Sequence, residues 1–274
     1  MEQRTLKFIK ASPTQNMTLL IQTSVPREEQ LAVAERLIAY GSVYAEQAGY
    51  IEEPQDSRAE KRLQMMAGEF CGNASLSLAA WLAKEKGLAA GESTEILLEV
   101  SGAAELVCCE ITAQENGYHG RVQMPLPERI EERDFSLNGK RYRFPVVVFE
   151  GITHIIVPAA EWGEDGVTLA EQAAKEWKQE LPEVFGILLY DAEKETLHPL
   201  VAVGESSLIW EKGCGSGTCA VGAYLAQMAG KSVTASLKQP GGTMGVEAVF
   251  ENGKTEKLYI TGKVSIVAEG TAYL

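Results

Sequence analysis

The chain has 274 residues, 45% of them hydrophobic, with a formal charge of −13 at pH 7, which allows one or two domains of ordinary size. That charge repels phosphate backbones and anionic lipid, and no dense Lys/Arg run offsets it, so nucleic acid is excluded as an expected partner. No long apolar run and no leader-like start occurs, so no membrane span or signal peptide is expected, the location expected is cytoplasmic, and the five cysteines read as reduced thiols.

Taken in chain order, strands are predicted near 5–10 and 17–22, then an amphipathic helix near 27–40 with Leu31, Ala34, Leu37 and Ile38 on one side. Glu69-Phe-Cys-Gly-Asn-Ala opens a run of small residues reaching Ala83, which reads as a helix that begins at Cys71. Apolar strands near 95–100 and 104–109 flank a Ser101-Gly102 turn. Pro125, Pro127 and a charged run interrupt the pattern within 120–133, so a boundary is expected there. Beyond it come strands near 144–149 and 154–158 and a helix near 168–179 carrying Leu169, Ala173 and Trp177. Lys212-Gly-Cys-Gly-Ser-Gly-Thr-Cys-Ala then opens a second small-residue helix at Cys214. Strands near 232–237 and 244–250 follow, around a turn at 240–242.

The two cysteine segments repeat one pattern roughly half a chain apart. Each runs Cys-Gly-(Asn or Ser), continues in small residues and ends Ala-aromatic-Leu-Ala, and each is followed by a strand, a glycine turn and another strand. The halves therefore read as two pseudo-equivalent α+β domains, each wrapping strands around a helix whose Ala- and Gly-rich faces permit close packing. The expected division is 1–122, joined by a C-terminal strand 263–274, and 123–262, with the active site in the cleft between them.

A cysteine at a helix start sits among unpaired N–H groups at the positive end of the helix dipole, which lowers a thiol pKa of about 8.5 toward neutrality. The same amides hold carboxylates. If the two helix starts face one cleft, the amides of Gly72, Asn73, Gly215 and Ser216 clamp one carboxylate and its Cα lies between two sulfurs. One thiolate would remove the Cα proton, the opposite thiol would deliver another, and the clamped carboxylate would take up the charge, with no cofactor. Cys108, Cys109 and Cys219 read as small buried hydrophobes instead.

At these motifs the chain resembles the diaminopimelate-epimerase-like superfamily. The resemblance implies two pseudosymmetric domains, each a strand barrel wrapped around a central helix. By that likeness Lys10 with Asn16, Glu46-Gln47 and Ile152-Thr-His154 occupy further motif positions. Departures from the family bear on substrate: Ile152 and Ile187 stand where two substrate-binding Asn would be, and Ser206 follows Glu205 where an Arg would be. Diaminopimelate is disfavoured, because its distal charge would lie unpaired in a more apolar pocket. The stretches Asn16-Met-Thr, Glu46-Gln-x-Gly-x-Ile-Glu52, Glu69-Phe-Cys-Gly-Asn-Ala74, Ser207-Leu-Ile-Trp-Glu211, Cys214-Gly-Ser-Gly-Thr218 and Gln239-Pro-Gly-Gly242 resemble the histidine racemases of staphylopine-type metallophore synthesis. This second likeness implies L-histidine as substrate.

Among lesser candidates, Glu46 is read as holding the substrate ammonium or a ring N–H, or as a solvated carboxylate near a helix end. His154 is read as orienting the ammonium or lining the cleft, or as strand surface. Glu211 is expected to hold its loop by accepting backbone N–H bonds, and Asn16 to be the polar binder of the N-terminal loop. His119 and His198 read as surface residues and Glu205 as a weak candidate. The expected partner is a small amino acid, with a homodimer left open. Rival readings are an isomerase of the phenazine-biosynthesis type, against which Cys214 argues, and a thiol metal or redox protein, for which Cys-x-x-Cys and His-x3-5-His spacings are missing.

Overall fold

The computed structural model describes residues 4–204 and 207–274, a mixed α and β protein dominated by strands; Glu205 and Ser206 lie outside the described residues. Its contacts divide the chain into two units, Met1–Gln123 with Thr261–Leu274, and Met124–Ile260.

The first unit contains β1 (Thr5–Pro13), β2 (Thr18–Ile21), α1 (Gln30–Ile38), β3 (Gln47–Glu52), β4 (Lys61–Met65), α2 (Gly72–Glu85), β5 (Ser93–Val100), β6 (Val107–Gln114) and β7 (Gly117–Gln123). Pairing is parallel at β2–β3 and β4–β5 and antiparallel at β1–β2, β3–β4, β5–β6 and β6–β7. A parallel step requires a crossover, and the two parallel steps are the ones that carry α1 and α2. The last part of the chain closes the path, since β7 pairs with the final strand and that strand pairs antiparallel with β1, from Thr5↔Tyr273 to Pro13↔Val264. Helix α2 packs against each of β1 to β7 and is buried from Gly72 to Ala83 except at Trp81.

Helix α1 corrects one expectation. Its core face is Gln30, Val33, Ala34 and Leu37, while Leu31 is 47% exposed. Gln30 takes the inward position because its amide bonds Val25 O at 3.2 Å and Glu52 Oε1 at 2.8 Å, so a polar residue is satisfied where the apolar pattern pointed one position on. Residues 27–29 form a 3-10 turn. The strand expected from 104 begins at Val107, since 101–106 are taken up by turns and bends, and it runs on to Gln114.

The second unit contains β8 (Arg129–Leu137), β9 (Lys140–Phe149), β10 (Ile152–Pro158), α3 (Ala159–Trp162), α4 (Gly166–Trp177), β11 (Val184–Asp191), β12 (Thr196–Val203), β13 (Ser207–Trp210), α5 (Gly215–Ala229), β14 (Val233–Gln239), β15 (Gly242–Glu251) and the start of β16 (Lys254–Tyr273). Strands β8, β9 and β10 pair antiparallel, β10 and β11 pair parallel with α3 and α4 between them, and β12 pairs antiparallel with β11 and β13. A single parallel bridge, Thr196↔Lys238, joins β12 to β14, which pairs with β15. Phe135, Phe144 and Trp162 fill the core with Trp177 of α4, and the Trp177 indole donates to Ser136 O at 2.7 Å. Helix α5 packs on β9, β10, β14 and β15. Among the described residues no helix is long and apolar enough to cross a membrane.

Candidate active site

Each small-residue helix is capped by its cysteine. Cys71 is the N-cap of α2 in an extended conformation, and its Sγ accepts from Ala74 N at 3.4 Å. Cys214 is the N-cap of α5, and its Sγ accepts from Gly217 N at 3.3 Å. The main-chain carbonyls match as well. Cys71 O accepts from Ser75 N (2.9 Å) and Ser75 Oγ (2.8 Å), and Cys214 O accepts from Thr218 N (3.0 Å) and Thr218 Oγ1 (2.6 Å). In this geometry the N–H groups of Gly72 and Asn73, and of Gly215 and Ser216, precede the first intrahelical bond of their helices.

In the first unit Cys71 is half-buried and its thiol donates to Gln47 Oε1 at 3.1 Å. Gln47 in turn donates to Asn16 Oδ1 (2.7 Å) and Thr18 Oγ1 (2.9 Å). Asn16, Gln47 and Cys71 therefore form one network, which gathers the loop after β1, the start of β3 and the helix start. In the sequence Gln47 is marked only by its place in the Glu46-Gln47 pair. Glu46 itself is exposed, its backbone N–H bonded to Met17 O at 2.8 Å.

In the second unit Cys214 is 2% exposed. The expectation of a lowered pKa fails here: burial, with the charge and hydrogen-bond acceptance of Glu211, pushes the thiol well up, while Ser216 and the Gly217 N–H oppose them. Glu211 thus acts on the thiol, beyond the loop-holding role expected of it. Gln239 also contacts the Cys214 cap. Its Oε1 accepts from Cys214 N at 2.8 Å and its Nε2 donates to Thr218 Oγ1 at 2.6 Å; the signal was the Gln239-Pro-Gly-Gly242 stretch.

His154 is not strand surface. It is fully buried on β10, with Nε2 2.9 Å from Ser216 Oγ, and Ser216 Oγ is 3.6 Å from Cys214 Sγ. The ring lies over its strand partner Gly186, where a Cβ would fall 2.3 Å from His154 Nδ1. Burial pushes the imidazole pKa down to about 3, so the ring is neutral. Nδ1 has no hydrogen-bond partner among the described residues. A buried lone pair left unmet costs less than a buried N–H left unmet, which favours hydrogen on Nε2 donating to Ser216 and frees the Ser216 hydroxyl to point at the sulfur. His119 and His198 are exposed, on β7 and β12.

The remaining thiols differ in setting. Cys109 and Cys219 are buried, and burial raises both pKa values. Among the described residues no three His, Cys, Asp or Glu side chains gather in a metal-binding group.

Residues 5–273 match the family model described as Histidine racemase CntK N-terminal domain. The chain is 31% identical over 281 residues to the histidine racemase of Staphylococcus aureus strain Mu50, covering 100% of both. It is 33% identical over 275 residues to that of Fusobacterium nucleatum subsp. nucleatum, covering 98% of this chain and 97% of the relative. Among solved structures it resembles a hydroxyproline epimerase from Agrobacterium vitis with bound trans-4-OH-L-proline. That match has a TM-score of 0.73 at 14% identity and covers 99% and 93% of the two chains, a likeness of fold.

Proposed function

The chain belongs to the histidine racemase family and is an amino-acid racemase of the isomerase class; from that premise we propose that it interconverts L- and D-histidine by proton transfer between Cys71 and Cys214 without a cofactor. The observation that carries the two-thiol reading is the repeated cap. Each cysteine starts a buried small-residue helix, with its sulfur on the third helical N–H and its carbonyl on a Ser or Thr hydroxyl one turn on. That repetition supports a pseudosymmetric enzyme of two halves, each a set of strands around a central helix. The substrate carboxylate would be held by the amides of Gly72, Asn73, Gly215 and Ser216, and Cα would face both sulfurs.

Because the Cys214 thiol is held protonated, the first step assigned is abstraction by Cys71. Its thiolate takes the Cα proton, and the Cys214 thiol then gives its own to the opposite face. Negative charge passes through the carboxylate and returns to sulfur, now on Cys214. Asn16 and Glu46 are read as holding the ammonium group and side chain, and His154 with Ser216 and Glu211 as tuning Cys214. Histidine as substrate is supported by the named relatives. A role for D-histidine in opine metallophore synthesis rests on the shared stretches of sequence alone.

In D2O, without added pyridoxal phosphate or metal, L-histidine is expected to gain deuterium at Cα as D-histidine appears by chiral chromatography. Cys71→Ser and Cys214→Ser should each abolish racemisation, while Cys219→Ala keeps most of it. Racemisation surviving in either serine variant would overturn the two-thiol reading; histidine left untouched while another amino acid racemises would overturn the substrate.

A further inference from the structure

The β14–β15 hairpin reaches the Cys214 loop at two points. Gly241 N donates to Lys212 O at 2.7 Å, and Gln239 Oε1 accepts from Cys214 N at 2.8 Å. The second contact belongs to a closed ring, because Gln239 Nε2 donates to Thr218 Oγ1 (2.6 Å) and Thr218 Oγ1 donates to Cys214 O (2.6 Å). Both backbone polar groups of Cys214 thus end on one side-chain circuit. Gln239 is 7% exposed, Thr218 0% and Cys214 2%, so water has little access to replace a lost bond. On the far side the sulfur is hemmed in: a Cβ on Gly217 would sit 3.1 Å from Cys214 Sγ and 2.9 Å from Leu188 Cδ2.

We propose that Gln239, acting through Thr218, is a positioning residue that fixes the Cys214 peptide and with it the direction of Sγ at the start of α5. This rests on the two-thiol reading. Gln239 does not meet the substrate; it sets where one of the two sulfurs stands. Misplacing a reacting group by about 1 Å costs on the order of 10²-fold in rate, and here the cost falls on one face of the reaction.

Overall rates cannot reveal that asymmetry. The two enantiomers are equal in free energy, so kcat/KM must fall equally in both directions. Partial reactions do reveal it. When Cys214 is out of line, Cys71 still removes a proton and exchanges it with solvent, so one enantiomer gains deuterium without inverting. For Gln239→Met and Thr218→Val we expect kcat to fall about 10- to 100-fold with KM within twofold, and exchange to outrun racemisation from one enantiomer only. Thr218→Ser, which keeps the hydroxyl, should restore the wild-type ratio. Two outcomes overturn the proposal: equal loss of exchange from both enantiomers, which marks a merely structural residue, or wild-type behaviour of Gln239→Met. Cys214→Ser run alongside separates the cases, since full racemisation in that variant overturns the two-thiol reading itself. Should Gln239→Met fail to fold by melting, Thr218→Val against Thr218→Ser decides.

Discussion

Between pH 7 and pH 5 the folded protein should lose stability through His154. The group's pKa is about 3 in the folded chain against 6.5 when unperturbed, because burial disfavours the imidazolium. The unfolded chain therefore binds the proton first. Stability is full above the unfolded value near 6.5 and is lost as pH falls toward 3. At 1.36 kcal/mol per pKa unit, the proton taken up by the unfolded state at pH 5 costs the fold about 2 kcal/mol relative to pH 7. Carboxylates with lowered pKa values, such as Asp56 at about 2, act below this window. Urea unfolding at pH 7, 6 and 5 measures the slope, and His154→Gln, which keeps a donor for Ser216 and does not titrate, should flatten it. An unchanged slope in that variant, or an imidazole resonance of His154 titrating near pH 6.5 in the native protein, would refute the buried neutral histidine.

Glu211→Gln removes the charge that helps raise the Cys214 pKa, so half-maximal alkylation of Cys214, followed by peptide mass spectrometry, should move to lower pH; an upward move refutes the assignment. Gly186→Ala puts a methyl against the His154 ring and should destabilise by roughly 1–3 kcal/mol while breaking the link to Ser216. His154→Ala in the same chain should recover part of that stability, and strictly additive losses on denaturation would show that the two residues do not meet.

The features legible in the sequence were those written locally. Cys71 and Cys214 each precede Gly and then Asn or Ser at the head of a small-residue run, and capping is decided within one turn. The α4 stripe of Ala173 and Trp177 is buried for the same reason, since one helical period sets it. Strands β3 and β4 escaped notice because stretches such as Lys61-Arg-Leu-Gln-Met mix charge into a short run with no clean alternation. Contacts distant in sequence were the least visible. His154 meets Ser216, Gln239 meets Cys214 and Gln47 meets Cys71, each a contact between a strand and a helix start that no local pattern contains. A binary reading of polarity also takes polar residues for surface, and so it missed Gln30, Thr218 and Gln239, all buried with their hydrogen bonds met.

The helix start was expected to make an acidic thiol, and at Cys214 magnitude decides against that. A helix terminus is worth at most about 2 kcal/mol to a charge beside it, roughly 1.5 pKa units. Full burial alone shifts a group by as much as 3–5 units the other way, and here Glu211 adds a like charge. The cap position therefore cannot leave a resting thiolate on Cys214. The Gly217 N–H and the Ser216 hydroxyl nevertheless stay near that sulfur, at 3.3 Å and 3.6 Å, and both favour the thiolate. Donors trained on a protonated group contribute most after the proton has left, so on the two-thiol reading Cys214 is arranged to give its proton away and to be stabilised only while it is without one.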